Sequence, residues 1–511
     1  MIARIAAALL LGLTSAAVAQ GRLDVLIRGG SVYDGTGGAP RIADIGIRGD
    51  RIVFVGTAPT GAAALRTIDA KGLVVAPGFI DPHTHIDEDL RDPIRRPLPG
   101  FLLQGVTTLV TGNDGGGSPA VGTVRARLAQ GVGANIAFLV GHGAVRGAVL
   151  GMAARAPTAT ELDSMRSLVS RAMGDGAFGL STGLYYAPGS YATTDEVIEL
   201  AKVAQAAGGY YDSHIRDESS YTIGLLGAID EAIRIGLESG IPVHISHIKA
   251  LGVDVWGKSD EVVARILAAR AAGQRVTADQ YPYTASGTSV GAALLPRWAE
   301  AGGRDSLKSR FARSEIRAKI VTEMTENLRR RGGAEALLIT EGKWRGKRLA
   351  EVAAATKAPP IEAAIAIILT GDAAVASFNM NEADIDRFMM QSFVVTGSDG
   401  SAGHPRKYGT FPRKIRRYAL DRGVISLARA IEASSGQTAG IVGLVDRGVL
   451  APGKFADVVV FDSTAIIDKS TYEAPAAPAA GIRFVVVNGR LAVDAGRPTG
   501  ALAGRALARG Q

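Results

Sequence analysis

Apolar positions two apart mark the first part of the chain: Val25 and Ile27, Ile45 and Ile47, Ile52 and Phe54, separated by Gly29-Gly30, Gly37-Gly38 and Gly49-Asp50. Alternation broken by glycine predicts short antiparallel strands with one buried face. The far end repeats this at 455–461 and 482–487, with Ala451-Pro452-Gly453 and Asn488-Gly489 as turns. Neither flank has the apolar content for a core of its own. The two are expected to pair as one small β-sandwich domain, from 20–75 and 431–511.

Between the flanks the period changes. Strand-like runs end near His85, Thr111, Gly141, Thr182, His214, His247, Tyr281 and Asp399, and helical patterns separate them. In one of these, Thr193 and Glu196 predict a capping box, Val197, Leu200, Ala201 and Ala204 form one apolar face, and Gly208-Gly209 ends the helix. The stretch 259–273 follows the same plan. Eight such units predict a parallel (β/α)8 TIM-like barrel over 76–430, an α/β fold whose chemistry sits at the carboxyl ends of the strands. The interval between the seventh and eighth strands is long and includes a charged helical pattern at 307–331. We expect an inserted lid or subdomain there, at about 286–390.

At the amino end, Arg4, an apolar run from Ile5 to Leu13 and Ala17-Val18-Ala19 have the order of a secretory signal peptide, with cleavage expected after Ala19. The run is too short to span a bilayer, and no later stretch is long enough, so export, to a periplasm or beyond, without stable membrane insertion is expected. Of 511 residues, 47% are hydrophobic and 21% charged, which excludes long disorder and coiled coil. The net charge of +8 is scattered and accompanies no reading motif, so nucleic acid is not an expected partner. Cysteine is absent, which excludes disulfides, thiolate catalysis and sulfur-ligated metal.

The chemistry is carried by histidine. Only seven occur, at 83, 85, 142, 214, 244, 247 and 404, and four fall at expected strand ends. His83 and His85, two apart in extended chain, project from one face and can share a divalent metal. His214 and His247 close the fifth and sixth strands and are therefore neighbours around the barrel mouth. His244 and His247 are three apart and should face opposite ways, so only His247 is expected to be a ligand. His142 and His244 read as structural. Asp399 ends the eighth strand, where a carboxylate can bind metal and take a proton from water. Arg406 can grip an α-carboxylate through two parallel hydrogen bonds.

Gly78-Phe79-Ile80-Asp81-Pro82-His83-Thr84-His85 resembles the opening strand of amidohydrolase-superfamily enzymes, and 448–457 resembles their return to the small β domain. Within that superfamily the chain resembles the N-acyl-D-amino-acid deacylases, or D-aminoacylases, through 213–218, 245–249, 279–284 and 404–413. The resemblance covers about 23–462. It implies zinc, one or two ions per chain, with His214 and His247 at the tighter site, and His83, His85 and Asp399 at a weaker one. It implies that Asp399 shuttles the proton, and that Lys249, Tyr283 and Arg406 hold the substrate carboxylate and polarise the scissile carbonyl. The implied reaction releases a carboxylate and a free D-amino acid from an N-acyl-D-amino acid or short peptide. The chain departs from the family at Gly112-Asn113-Asp114-Gly115, where a cysteine ligand is common; Asp114 would be an oxygen ligand, harder and less selective for zinc. Alternatives are a dipeptidase acting before a carboxyl-terminal D-residue, a cyclic-amide hydrolase and a binding protein that has lost catalysis. Against the cyclic-amide hydrolase, the fourth strand at 177–182 offers no lysine to bridge two metals.

Overall fold

The computed structural model describes residues 22–510; the expected signal segment at 1–19 lies outside them. Eight parallel strands form the barrel: β1 (Phe79–Thr84), β2 (Val106–Thr111), β3 (Asn135–Gly141), β4 (Gly179–Gly183), β5 (Tyr210–His214), β6 (Val243–Ile245), β7 (Val276–Gln280) and β8 (Val394–Thr396). Each pairs with the next in chain order. The ring closes beyond the strands, where Thr84 bridges to Gly400 and the His85 amide donates to the Gly400 carbonyl at 3.0 Å.

Beyond β1, which ends one residue before His85, three strand ends come earlier than the pattern predicts. β6 stops at Ile245, β7 at Gln280 and β8 at Thr396. His247 and Asp399 instead lie on left-handed backbone just past the ladder, with φ of 35° and 48°. Side chains other than glycine rarely adopt that conformation, and it turns both groups inward over the barrel mouth.

The helices follow their sequence signals. Thr193 caps the helix Thr194–Ala206, and Val197, Leu200, Ala201 and Ala204 are fully buried beneath it. The expected box is only half made, because the Glu196 carboxylate is drawn instead to His142 at 2.9 Å and Arg146 at 2.5 Å. That pairing gives His142 a buried structural partner.

Strands from the two chain ends join in one nine-stranded sheet, in which Val74–Pro77 pairs antiparallel with Val458–Phe461. Successive residues of that last strand serve two cores. Val458 and Val460 pack with Val25, Ile45 and Ile68 inside the small domain, while Val459 and Phe461 pack against the barrel. Between β7 and β8 a subdomain inserts at 285–378. Its three antiparallel strands, Ala285–Ser289, Ala374–Phe378 and Leu337–Ile339, and its helices enclose a separate core around Leu294, Ile320, Met324 and Ile365. The helix Glu382–Met389 then returns to the barrel wall beside the helix Ser259–Ala271, so the end of the segment expected at 286–390 belongs to the barrel. Among the described residues no single helix is long and apolar enough to cross a membrane.

Candidate active site

Six side chains meet at the carboxyl ends of the strands. His83 comes from β1, His85 from just after it, His214 from the end of β5, and His247 and Asp399 from the left-handed positions after β6 and β8. Asp114 completes the set from the turn after β2, where its φ is 54°. Its neighbour Asn113 fixes that turn: the amide donates to the Pro82 carbonyl at 3.0 Å and to Asp212 at 3.1 Å, tying β1, β2 and β5 together.

Asp114 is the centre. One carboxylate oxygen lies 3.3 Å from His83 Nε2 and 3.4 Å from His247 Nε2; the other lies 3.4 Å from His85 Nε2 and 3.6 Å from His214 Nδ1. Asp399 is 3.1 Å from His85 Nε2 and 3.7 Å from His83 Nε2. Three sets of donor atoms converge closely enough to hold a cation, His83/His85/Asp114/Asp399, Asp114/His214/His247 and, more deeply, His83/Asp212/Asp279; Asp114 belongs to the first two. Both ring nitrogens of His83 and of His214, although buried, lack a hydrogen-bond partner among the described residues. Buried polar atoms left unpaired are costly, and a divalent cation would satisfy them.

The electrostatics fit the same reading. Burial alone lowers the pKa of His83 and His85, but the Asp114 and Asp399 carboxylates outweigh it, holding His83 well above its ordinary value and raising His85 to about 9. Asp114 is held well below the usual carboxylate range, against the effect of burial, by His83, His247 and His214. Without metal His83 and His85 hold protons as counter-charge to the two carboxylates, whereas burial and the neighbouring His247 lower the pKa of His214; a cation would replace those protons.

Beneath this layer lies another. His244 Nε2 is 3.0 Å from Asp279, which also accepts from the His247 amide at 3.1 Å and lies 3.8 Å from His83 Nδ1. His244 therefore faces inward, like His247. The expectation of opposite faces fails because the strand ends between them and the left-handed turn at His247 resets the alternation. Their roles still separate, since His247 reaches the cavity and His244 orients Asp279 below it.

Above the cluster opens a cavity of about 720 Å³. Lys249 and Arg406 line it, each already engaged: Lys249 Nζ donates to Glu218 at 2.5 Å and lies 2.6 Å from His247 Nδ1, and Arg406 Nη1 pairs with Asp399 at 2.6 Å. Tyr283 does not line it. Its ring lies under the Arg413 guanidinium at 4.7 Å and beside His404, away from the cluster. Tyr281 occupies the expected place, with a buried hydroxyl lacking a partner and the Arg406 guanidinium 4.7 Å above its ring. β7 ends at Gln280, so alternation no longer relates 281 to 283.

The amidohydrolase family model matches residues 66–493. The chain belongs to the amidohydrolase family. Among relatives in that family, a D-aminoacylase of Alcaligenes xylosoxydans xylosoxydans is 37% identical over 519 residues, covering 95% of this chain and 98% of its own. A crystal structure of D-aminoacylase superposes with a TM-score of 0.82 at 35% identity, covering 95% of this chain and all of that one. An N-acyl-D-glutamate deacylase from Bordetella bronchiseptica, solved with zinc and a phosphonate inhibitor that mimics the tetrahedral intermediate, gives 0.81 at 32% identity, covering 96% and 100%.

Within this amidohydrolase, sequence reasoning missed Glu218 and Asp279 as members of the site. Glu218 follows His214 by one helical turn's spacing and lies 3.0 Å from His247 Nδ1; burial opposes its charge, but Lys249 and the two histidines hold it well below the usual range. Its position inside the 213–218 motif was the available signal.

Proposed function

We propose that this chain is a metal-dependent deacylase that hydrolyses the amide bond of N-acyl-D-amino acids. The observation that carries the reading is the convergence of four histidines and Asp399 on Asp114, beneath a cavity that also presents Lys249 and Arg406. The D configuration of the substrate is supported by the relatives just described.

A divalent metal held by His83, His85, Asp114, His214, His247 and Asp399 would polarise the carbonyl and make water a nucleophile at neutral pH. Burial works against a charged Asp399, but the Arg406 guanidinium, His247, His85 and His83 keep it ionised far below neutrality. It is thus in the unprotonated form that a general base requires, placed to take a proton from the attacking water and return it to the leaving amine, although the same cationic neighbours weaken its basicity. The Tyr281 hydroxyl stays neutral, since burial pushes its pKa well above the ordinary value, and so donates a hydrogen bond where oxyanion charge develops. Arg406 Nε has no partner and remains available to a substrate carboxylate while Nη1 orients Asp399. Glu218, held by Lys249, is placed to accept a hydrogen bond from His247 Nδ1, which leaves the Nε2 lone pair directed at the centre. β4 presents no lysine that could be modified to join two metals, and Asp114 is the residue common to the two donor sets that contain it.

The test is hydrolysis of paired N-acetyl-D- and N-acetyl-L-amino acids with added zinc and then with chelator. Cleavage of the D-series that chelator abolishes is expected; cleavage of neither series by metal-loaded protein would overturn the reading. We also infer export to the periplasm, from the charged, apolar and small-residue order at 1–19. Amino-terminal sequencing of the protein recovered from cells should begin at Gln20.

A further inference from the structure

Arg331 lies just past the inserted helix Ser314–Arg330, carried by the subdomain rather than by the barrel. It is 2% exposed and lines the catalytic cavity. Nε donates to the Ala293 carbonyl at 3.1 Å and Nη2 to the Tyr185 hydroxyl at 3.2 Å, whereas Nη1 has no partner. Among the described residues no carboxylate lies within 4.0 Å of this guanidinium; the groups that act on its charge are the hydroxyls of Tyr221, Tyr185 and Tyr186. The Tyr221 hydroxyl is likewise buried and unpartnered, its ring centroid 5.7 Å from the Arg331 guanidinium carbon, and it lines the same cavity. A buried, unneutralised arginine with one nitrogen free is expensive to maintain unless an anion completes it.

The position of this group relative to the reaction is also fixed. Tyr185 stacks on His214 with ring centroids 5.8 Å apart, so its ring reaches from the metal cluster to Arg331. The subdomain is held down beside it. Val253 donates to the Arg330 carbonyl at 3.2 Å, and Gly252, at φ 95°, approaches so closely that a Cβ there would stand 2.4 Å from that oxygen. Arg331 is therefore a preset donor, one tyrosine length from His214 and distinct from Arg406, whose Nη1 pairs with Asp399.

We propose that Arg331 Nη1 and the Tyr221 hydroxyl form a second anion subsite, which selects substrates carrying a carboxylate in addition to the α-carboxylate. That group is either the side chain of an acidic D-residue or the far end of a dicarboxylic acyl group. The inference rests on the deacylase reading and names its substrate class.

The experiment compares kcat/KM for N-acetyl-D-glutamate with N-acetyl-D-glutamine, and for N-succinyl-D-methionine with N-butyryl-D-methionine, using metal-loaded wild type, Arg331→Met and Tyr221→Phe. A preference of roughly 100-fold or more for the carboxylate in one pair is expected in the wild type, because the butyryl chain leaves Nη1 unsatisfied and glutamine offers it only an uncharged carbonyl oxygen. The pair that shows it identifies the source of the carboxylate. Arg331→Met should abolish that preference through KM and Tyr221→Phe should reduce it about tenfold, both sparing the neutral substrate within about threefold. Hydrolysis of the neutral substrates with no carboxylate preference in either pair would overturn the subsite and leave the deacylase reading standing. No hydrolysis of any of the four would instead defeat that reading. Should Arg331→Met fail to fold, Tyr221→Phe decides, since loss of one unpartnered hydroxyl breaks no existing bond.

Discussion

Asp114 shares its two oxygens among four imidazoles, and this bears on metal choice as well as on catalysis. A carboxylate is a hard ligand that can bridge two cations through separate oxygens, whereas a cysteine offers one soft sulfur. Asp114→Ala should therefore lower the metal-to-protein ratio after gel filtration by at least one ion per chain. Asp114→Cys should retain metal and shift competition between zinc and manganese toward zinc. Elemental analysis checks both, and an unchanged ratio in the alanine variant would show that the histidines suffice alone. Asp399→Asn separates chemistry from binding: kcat should fall roughly 10²- to 10⁴-fold, the usual range for a lost general base, while metal at His214 and His247 persists. At this scale the histidines and Asp399 were legible, because so few histidines fell so regularly at strand ends. Asp114 stood out only against a family resemblance. Arg331 was not legible, since in the run Arg329-Arg330-Arg331 nothing local separates the exposed first member and the half-buried second from the buried third.

The same contrast holds for the elements. Eight strands and a late insertion could be counted from apolar runs, because the core-facing pattern of each is set locally by burial. Their ends could not, because His247 and Asp399 are held in left-handed backbone by contacts from distant segments, including the Asp279 carboxylate that accepts from the His247 amide. That is also why Tyr281 takes the place expected for Tyr283. Among the contacts that seat the insertion, such as Tyr185 to Ala292, Tyr191 to Arg297 and Asp254 to Arg329, the tightest approach is Gly252 against Arg330. Gly252→Ala would require a left-handed alanine whose Cβ collides with a carbonyl oxygen, at a cost of about 1–3 kcal/mol in local strain or in displacement of the subdomain. We expect a lower denaturant midpoint and a raised KM with little change in kcat, as the cavity wall moves away from an intact metal cluster. A variant with wild-type stability and KM would show that the subdomain is not seated through this contact.

For the whole molecule, the ligands come from β1, β5 and the segments after β1, β2, β6 and β8, so a bound cation would tie together most of the barrel rim and stabilise the native state over any unfolded one. Protons and metal compete for those imidazoles, which gives the competition a sign. The pKa of His85 rises from its ordinary 6.5 to about 9 on folding, because hydrogen bonds to Asp114 and Asp399 outweigh burial. In metal-free protein that pairing contributes stability in full below about pH 6.5 and loses it as pH rises through about 9. The cation runs the other way, since its binding expels those protons and becomes tighter as pH rises. Thermal melts with chelator should thus show Tm falling between pH 6.5 and 9, and added zinc should raise Tm more at pH 9 than at 6.5. At a free metal concentration about 100 times Kd the gain is about 2.7 kcal/mol. If Tm of the chelated protein rose across that window, or zinc stabilised most at the acid end, the imidazoles would not be the groups that exchange protons for metal.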